Sequence, residues 1–144
     1  MKVIQCWDDG IVDDVRLTDI LRRYNARATF SLNPGLYRKE RSFGWIHEDR
    51  EVWRLSIGEL PDVYSGFEVC SHSMTHPCLT EVSADQLDWE VRASSEILQA
   101  IFNKPVLGFC YPFNAYNESV KAAVRSSEIG RASCRKEFRS RWSP

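Results

Sequence analysis

The stretch Glu68-Val69-Cys70-Ser71-His72-Ser73-Met74-Thr75-His76-Pro77 holds two of the chain's three histidines, four residues apart. That spacing puts two imidazoles on one face of a helix, a common way to grip a divalent ion. Pro77 argues against a helix here, because its ring disfavours the α region for His76 before it. Upstream, Gly66-Phe67-Glu68-Val69-Cys70 has the β-branched and aromatic content of a strand, predicted over Phe67 to Cys70. The pair therefore falls where a strand runs out into a loop, the place where α/β folds carry catalytic groups. Taken alone, two loop histidines with ordinary hydrogen-bond partners fit the pattern equally well.

Working outward, strands and helices alternate. Lys2 to Trp7 reads as a strand ending in Asp8-Asp9-Gly10. A helix follows from Asp13 to Tyr24, with Leu17, Ile20, Leu21 and Tyr24 at i, i+3, i+4 and i+7. Ala28 to Leu32 is a second strand, closed by the turn Asn33-Pro34-Gly35. Leu36 to Arg50 has no clear period and reads as a charged loop containing Trp45 and His47. Ser56 with Glu59 has capping-box spacing for a short helix toward Tyr64, and Ser83 with Gln86 opens a longer one. Leu87, Val91, Leu98, Ile101 and Phe102 make the longer helix's buried stripe. Val106 to Cys110 is a fourth strand leading into Tyr111-Pro112-Phe113-Asn114, and Asn117 caps a last helix through Val120, Ala123 and Val124. This order predicts an α/β fold with a parallel sheet or barrel and right-handed crossovers.

Composition narrows the class. The chain has 144 residues, 43% apolar and 27% charged, which suits one globular domain. No apolar run reaches the roughly 20 residues that span a bilayer. Lys2-Val3-Ile4 is already strand-like, so no signal peptide is expected. Five cysteines without a CxxC pair predict free thiols, a reducing compartment and hence a cytoplasmic setting. The net charge of -1 divides into +4 over residues 131–144 and -5 over residues 1–130. An acidic body gives no reason to expect nucleic-acid binding, and nothing points to a membrane. The basic end, RASCRKEFRSRWSP, lacks any period and reads as a disordered or vector-derived tail, which leaves residues 1–130 as the domain.

In a parallel arrangement the C-terminal ends of successive strands meet at one rim. That rim would gather Asp8 and Asp9, then His72 and His76, then Tyr111-Pro112-Phe113. Three segments here resemble, in order and spacing, the motifs of the polysaccharide deacetylases of the NodB-homology type (carbohydrate esterase family 4). Trp7-Asp8-Asp9-Gly10 is similar to the first motif, Ser71 to Pro77 to the second, and Tyr111-Pro112-Phe113-Asn114 to the third. Phe30 to Gly35 resembles the segment after the second strand, and the likeness runs over residues 1 to 130.

The resemblance implies a partial (β/α) barrel and a metal-dependent hydrolase that removes N-acetyl groups from a sugar or polysaccharide. It implies that Asp8 is the general base toward the attacking water, while Asp9, His72 and His76 bind one divalent metal ion. The Phe113 backbone N–H would hold the oxyanion, with Tyr111, Pro112 and Asn114 against the substrate. One carboxylate and two imidazoles suit zinc first, and also iron, cobalt or nickel.

Two departures qualify this. Cys110 stands where many members carry an arginine paired with the base, and the later segment bearing a general-acid histidine is not found. His47 is the only other histidine. Hence three further expectations: a chain shorter than its family's domain, little turnover, and a homo-oligomer formed through an exposed edge of the Val106–Tyr111 strand. A metal-binding domain without activity is one alternative, and a hydrolase of small amides or O-acetyl esters another. Strand alternation places Cys6 and Cys70 on the face of Asp8 and His72, in a buried layer beneath the site.

Overall fold

The computed structural model describes residues 5–127 and the backbone of residues 131–132. Strands β1 (Cys6–Asp8), β2 (Thr29–Leu32), β5 (Glu68–Ser71), β6 (Gly108–Phe109) and β7 (Arg131–Ala132) form one sheet in the order β1-β2-β5-β6-β7. Every neighbouring pair in it is parallel. The connections carry α1 (Asp14–Arg23), α2 (Leu60–Val63), α3 (Ala84–Asp88), α4 (Ser94–Phe102) and α5 (Glu118–Ser126). Trp89–Ala93 is a π turn that joins α3 to α4. The architecture is the expected partial, open α/β arrangement, and no barrel closes among the described residues.

The register explains why the site lies on one face. Trp7, Phe30 and Val69 share a row, and Leu32, Ser71 and Phe109 share another. Of these, Phe30, Leu32 and Val69 point to the helices, where they form a buried core with Leu60, Tyr64 and Leu98. The alternate rows carry Cys6, Thr29 and Glu68, then Asp8, Ser31 and Cys70. The ladder runs one step further, with His72 N–H donating to the Leu32 carbonyl (2.9 Å) and Cys110 N–H to that of Ser71 (2.8 Å). Asn33, His72 and Cys110 therefore extend the polar face.

Four expectations are corrected. Leu36–Arg50 is not a loop: β3 (Ser42–His47) and β4 (Arg50–Arg54) form an antiparallel hairpin. Its turn, Glu48-Asp49, places both residues at positive φ (45° and 63°). Asn-Gly usually supplies that geometry, so a Glu-Asp turn gives no sequence signal. The edge of β6 is paired with β7, which removes the free edge that an oligomer was to bury; the outer strands are β1 and β7. Arg131–Ala132 thus belong to the sheet rather than to the basic tail, and residues 133–144 lie outside the described residues, as do residues 1–4 of the first predicted strand. Finally, Cys6 and Cys70 do share the face of Asp8 and His72, but Cys6 is exposed, because β1 is an edge strand, and Cys70 is only half-buried. No helix among the described residues is long and apolar enough to cross a membrane.

Candidate metal centre

The first loop of the site is forced into shape by its glycine. Asp9 and Gly10 both take positive φ (75° and 61°). A Cβ on Gly10 would lie 2.1 Å from the Tyr37 hydroxyl oxygen, so only glycine fits. The strained Asp9 backbone is bonded at both ends. Its N–H donates to the Ser31 carbonyl (3.0 Å), and its carbonyl accepts from the Tyr37 hydroxyl (3.1 Å) and Arg54 Nη1 (3.2 Å). Burial raises the Tyr37 pKa, which keeps that hydroxyl protonated as a donor. The root of the hairpin adds two backbone bonds, Leu55 N–H to the Gly10 carbonyl and Val12 N–H to the Trp53 carbonyl.

The second loop, Ser71 to Pro77, is not helical: Ser73 and His76 both have positive φ (65° and 61°). His76 N–H donates to Ser73 Oγ (3.0 Å), and Asn33 Nδ2 donates to the His72 and Ser73 carbonyls. From the other side the loop hangs on Glu90, a fully buried residue in the π turn. Thr75 donates to its carboxylate through both the backbone N–H (2.8 Å) and the hydroxyl, and Met74 N–H donates to its carbonyl (3.0 Å). π turns recur at functional sites, and here the widened turn meets the loop that carries both histidines.

The third segment is a turn at Pro112–Asn114, with Phe113 and Asn114 consecutively at positive φ (55° and 54°). Asn114 N–H bonds back to the Tyr111 carbonyl and Ala115 N–H to that of Pro112. The Phe113 ring is exposed and stands edge-on to His76 at 4.6 Å, while His76 stands edge-on to His72 at 4.7 Å. Tyr111 is buried against Phe109 and Tyr116, and Pro112 is buried at the turn; Asn114 is exposed. Of the nine non-glycine residues at positive φ among those described, five lie in these three loops, so backbone strain concentrates where the chemistry-bearing side chains converge.

The donor set passes the test of fit for a metal. Ligand atoms of Asp9, His72 and His76 all lie within 4.8 Å of one another. His76 Nε2 and Asp9 Oδ1 are 3.9 Å apart, too far for a hydrogen bond but close enough for both to reach one ion at bonds of about 2.1 Å. His72 Nδ1 bonds the Cys110 carbonyl (2.8 Å), which fixes the ring and leaves Nε2 as the nitrogen able to meet an ion. Burial, and then the neighbouring His72, lower the pKa of His76, favouring the neutral imidazole that a metal requires. Asp8, exposed on the same rim, has a carboxylate oxygen within 4.8 Å of a His72 ring nitrogen. His47 sits at the far end of the hairpin, whereas the hairpin's root, Arg54, touches the Asp9 loop.

Sequence reasoning missed Glu90, Asn33, Tyr37 and Arg54 as supports. Only Glu90 left a signal, as a carboxylate three residues after Leu87 and one before Val91 on the helix's apolar stripe.

Among curated protein sequences none matches this chain. Solved structures do. The Streptococcus pyogenes deacetylase PplD in complex with acetate superposes with a TM-score of 0.71 at 22% identity, covering 87% of this chain and 52% of that one. The family 4 carbohydrate esterase from Streptomyces lividans, also with acetate, gives 0.67 at 18%, covering 90% and 60%. A CE4 family pseudoenzyme from Bacillus anthracis gives 0.65 at 19%, covering 92% and 43%. The chain thus spans about half the length of these structures, which establish its fold. The sequence profile of polysaccharide deacetylases matches residues 1–130. With that match covering most of its length, the chain belongs to the polysaccharide deacetylase family.

Proposed function

We propose that this chain is a metal-dependent hydrolase that removes N-acetyl groups from an acetylated sugar or polysaccharide. The observation that carries the reading is the convergence of Asp9, His72 and His76, with Asp8 beside them. Asp9 Oδ1, His72 Nε2 and His76 Nε2 would hold one divalent ion, zinc by the donor set, with iron, cobalt or nickel as alternatives. Such an ion, when bound, polarises a carbonyl and acidifies a water. Asp8, outside the ligand set, takes the proton of the attacking water. The Phe113 N–H faces the developing oxyanion, a contact worth about 3 kcal/mol in comparable sites. Asn114 contacts the substrate directly, while buried Tyr111 and Pro112 set the shape of the turn beside it.

A second reading, a metal-binding domain without turnover, is favoured by one observation. Among the described residues His72 and His76 are the only histidines at the rim, so the leaving amine has no imidazole acid. Such an acid is worth about 100- to 10,000-fold. Acetate release from an acetylated chito-oligosaccharide, measured on zinc-loaded protein, separates the two. The deacetylase reading expects release that Asp8→Asn abolishes while zinc content is retained. No release from the loaded wild type would leave the second reading standing.

A further inference from the structure

Beyond the ligand set just described, the polar face holds a second set of donors that shares one residue with the first. Carboxylate, imidazole and thiol atoms of Asp8, His72 and Cys110 also lie within 4.8 Å of one another. His72 and Cys110 are both buried, at 3% and 6% exposure, while Asp8 stands at the rim. We propose that this is a second, mutually exclusive metal position selective for soft divalent cations of the cadmium class. This inference rests on the reading that Asp9, His72 and His76 bind a metal.

The chemistry follows from the donors. A thiolate is a soft ligand, and adding one to an imidazole and a carboxylate shifts preference from harder ions toward soft ones of the cadmium class. Binding transfers the Cys110 thiol proton to solvent, and no redox step is involved. His72 decides the exclusivity. Its Nδ1 is held by the Cys110 carbonyl at 2.8 Å, so Nε2 is the nitrogen left to coordinate, and one nitrogen serves one ion. The same bond anchors the His72 ring to the residue that supplies the thiol, so both donors are positioned together. An ion in the second position would also take Asp8 as a ligand. A soft cation would thereby inhibit by occupying the residue assigned as base, besides displacing the ion in the first position.

Cadmium(II) titrated into the reduced protein tests this spectroscopically, and cobalt(II) probes the first position in parallel. A thiolate-to-cadmium charge-transfer band should grow to one ion per chain in the wild type and persist in His76→Ala, which breaks only the first set. It should vanish in Cys110→Ser, with cadmium affinity falling at least about tenfold, and persist in Cys70→Ser, which removes the neighbouring thiol of the same face. His72→Ala should lose both the band and the first site. If cadmium binds without a thiolate band and its binding collapses in His76→Ala, the first site stands and the second is refuted. A band that survives Cys110→Ser but not Cys70→Ser likewise refutes it. Failure of the first reading looks different: cobalt binding of any kind that is indifferent to both Asp9→Asn and His76→Ala.

Discussion

Glu90 is the clearest lever on the site outside the proposed ligand set. Glu90→Ala removes the carboxylate that accepts both the backbone N–H and the hydroxyl of Thr75. Hydrogen bonds to a charged group are worth about 1.5–3 kcal/mol each, and Glu90 is fully buried, so water cannot readily replace it. The two bonds together put the expected loss near 4 kcal/mol, a large fraction of the stability of a domain this size. Glu90→Gln keeps the shape and one acceptor oxygen and should cost about half as much. Urea unfolding of the metal-free protein reads this loss, and calorimetric zinc titration reads the consequence. Thr75 lies between the two histidines, so a loosened loop should weaken zinc binding by at least about tenfold, the size of effect seen for groups that orient ligands. Glu90→Ala with lower stability but wild-type zinc affinity would refute the claim that Glu90 positions the ligands.

Three further outcomes are expected. Burial raises the Asp14 pKa from 3.8 to about 6, with the Tyr64 hydroxyl at 2.6 Å opposing the rise. The native state thus holds a proton that the unfolded chain has released, so stability should fall by about 3 kcal/mol as pH rises from 4 through 6 and stay lower above. Asp14→Asn should flatten this slope in unfolding curves taken across that range. Gly10→Ala should destabilise by about 2 kcal/mol or more and weaken zinc binding, since its Cβ meets Tyr37 at a φ of 61°; unchanged thermal unfolding would contradict the loop geometry. Finally, Cys6, exposed on β1, should react quickly with a thiol reagent, and Cys110, buried, only on unfolding.

Local patterns made much of this molecule legible. The capping contacts at Ser83 and Asn117, the helix that begins at Asp14 and the parallel strand order all follow from period, caps and turn residues. His72 and His76 were readable as a non-helical pair because Pro77 constrains its predecessor. The hairpin was not readable, because it lies outside the main core and its turn uses Glu48 and Asp49 in place of glycine. Nor were the supports of Asp9: Tyr37 and Arg54 reach it from 28 and 45 residues away, contacts set by tertiary packing alone. Strand alternation gave the face of Cys6 correctly but not its exposure, which depends on where in the sheet β1 falls.

The central claim is that Asp9, His72 and His76 bind a metal while Asp8 serves it without binding it. Zinc titration of the wild type and four single variants, followed by metal analysis of each after dialysis, tests this most directly. One zinc per chain is expected in the wild type and in Asp8→Asn, with affinity collapsing in Asp9→Asn, His72→Ala and His76→Ala. All four variants loading zinc as the wild type does would contradict it.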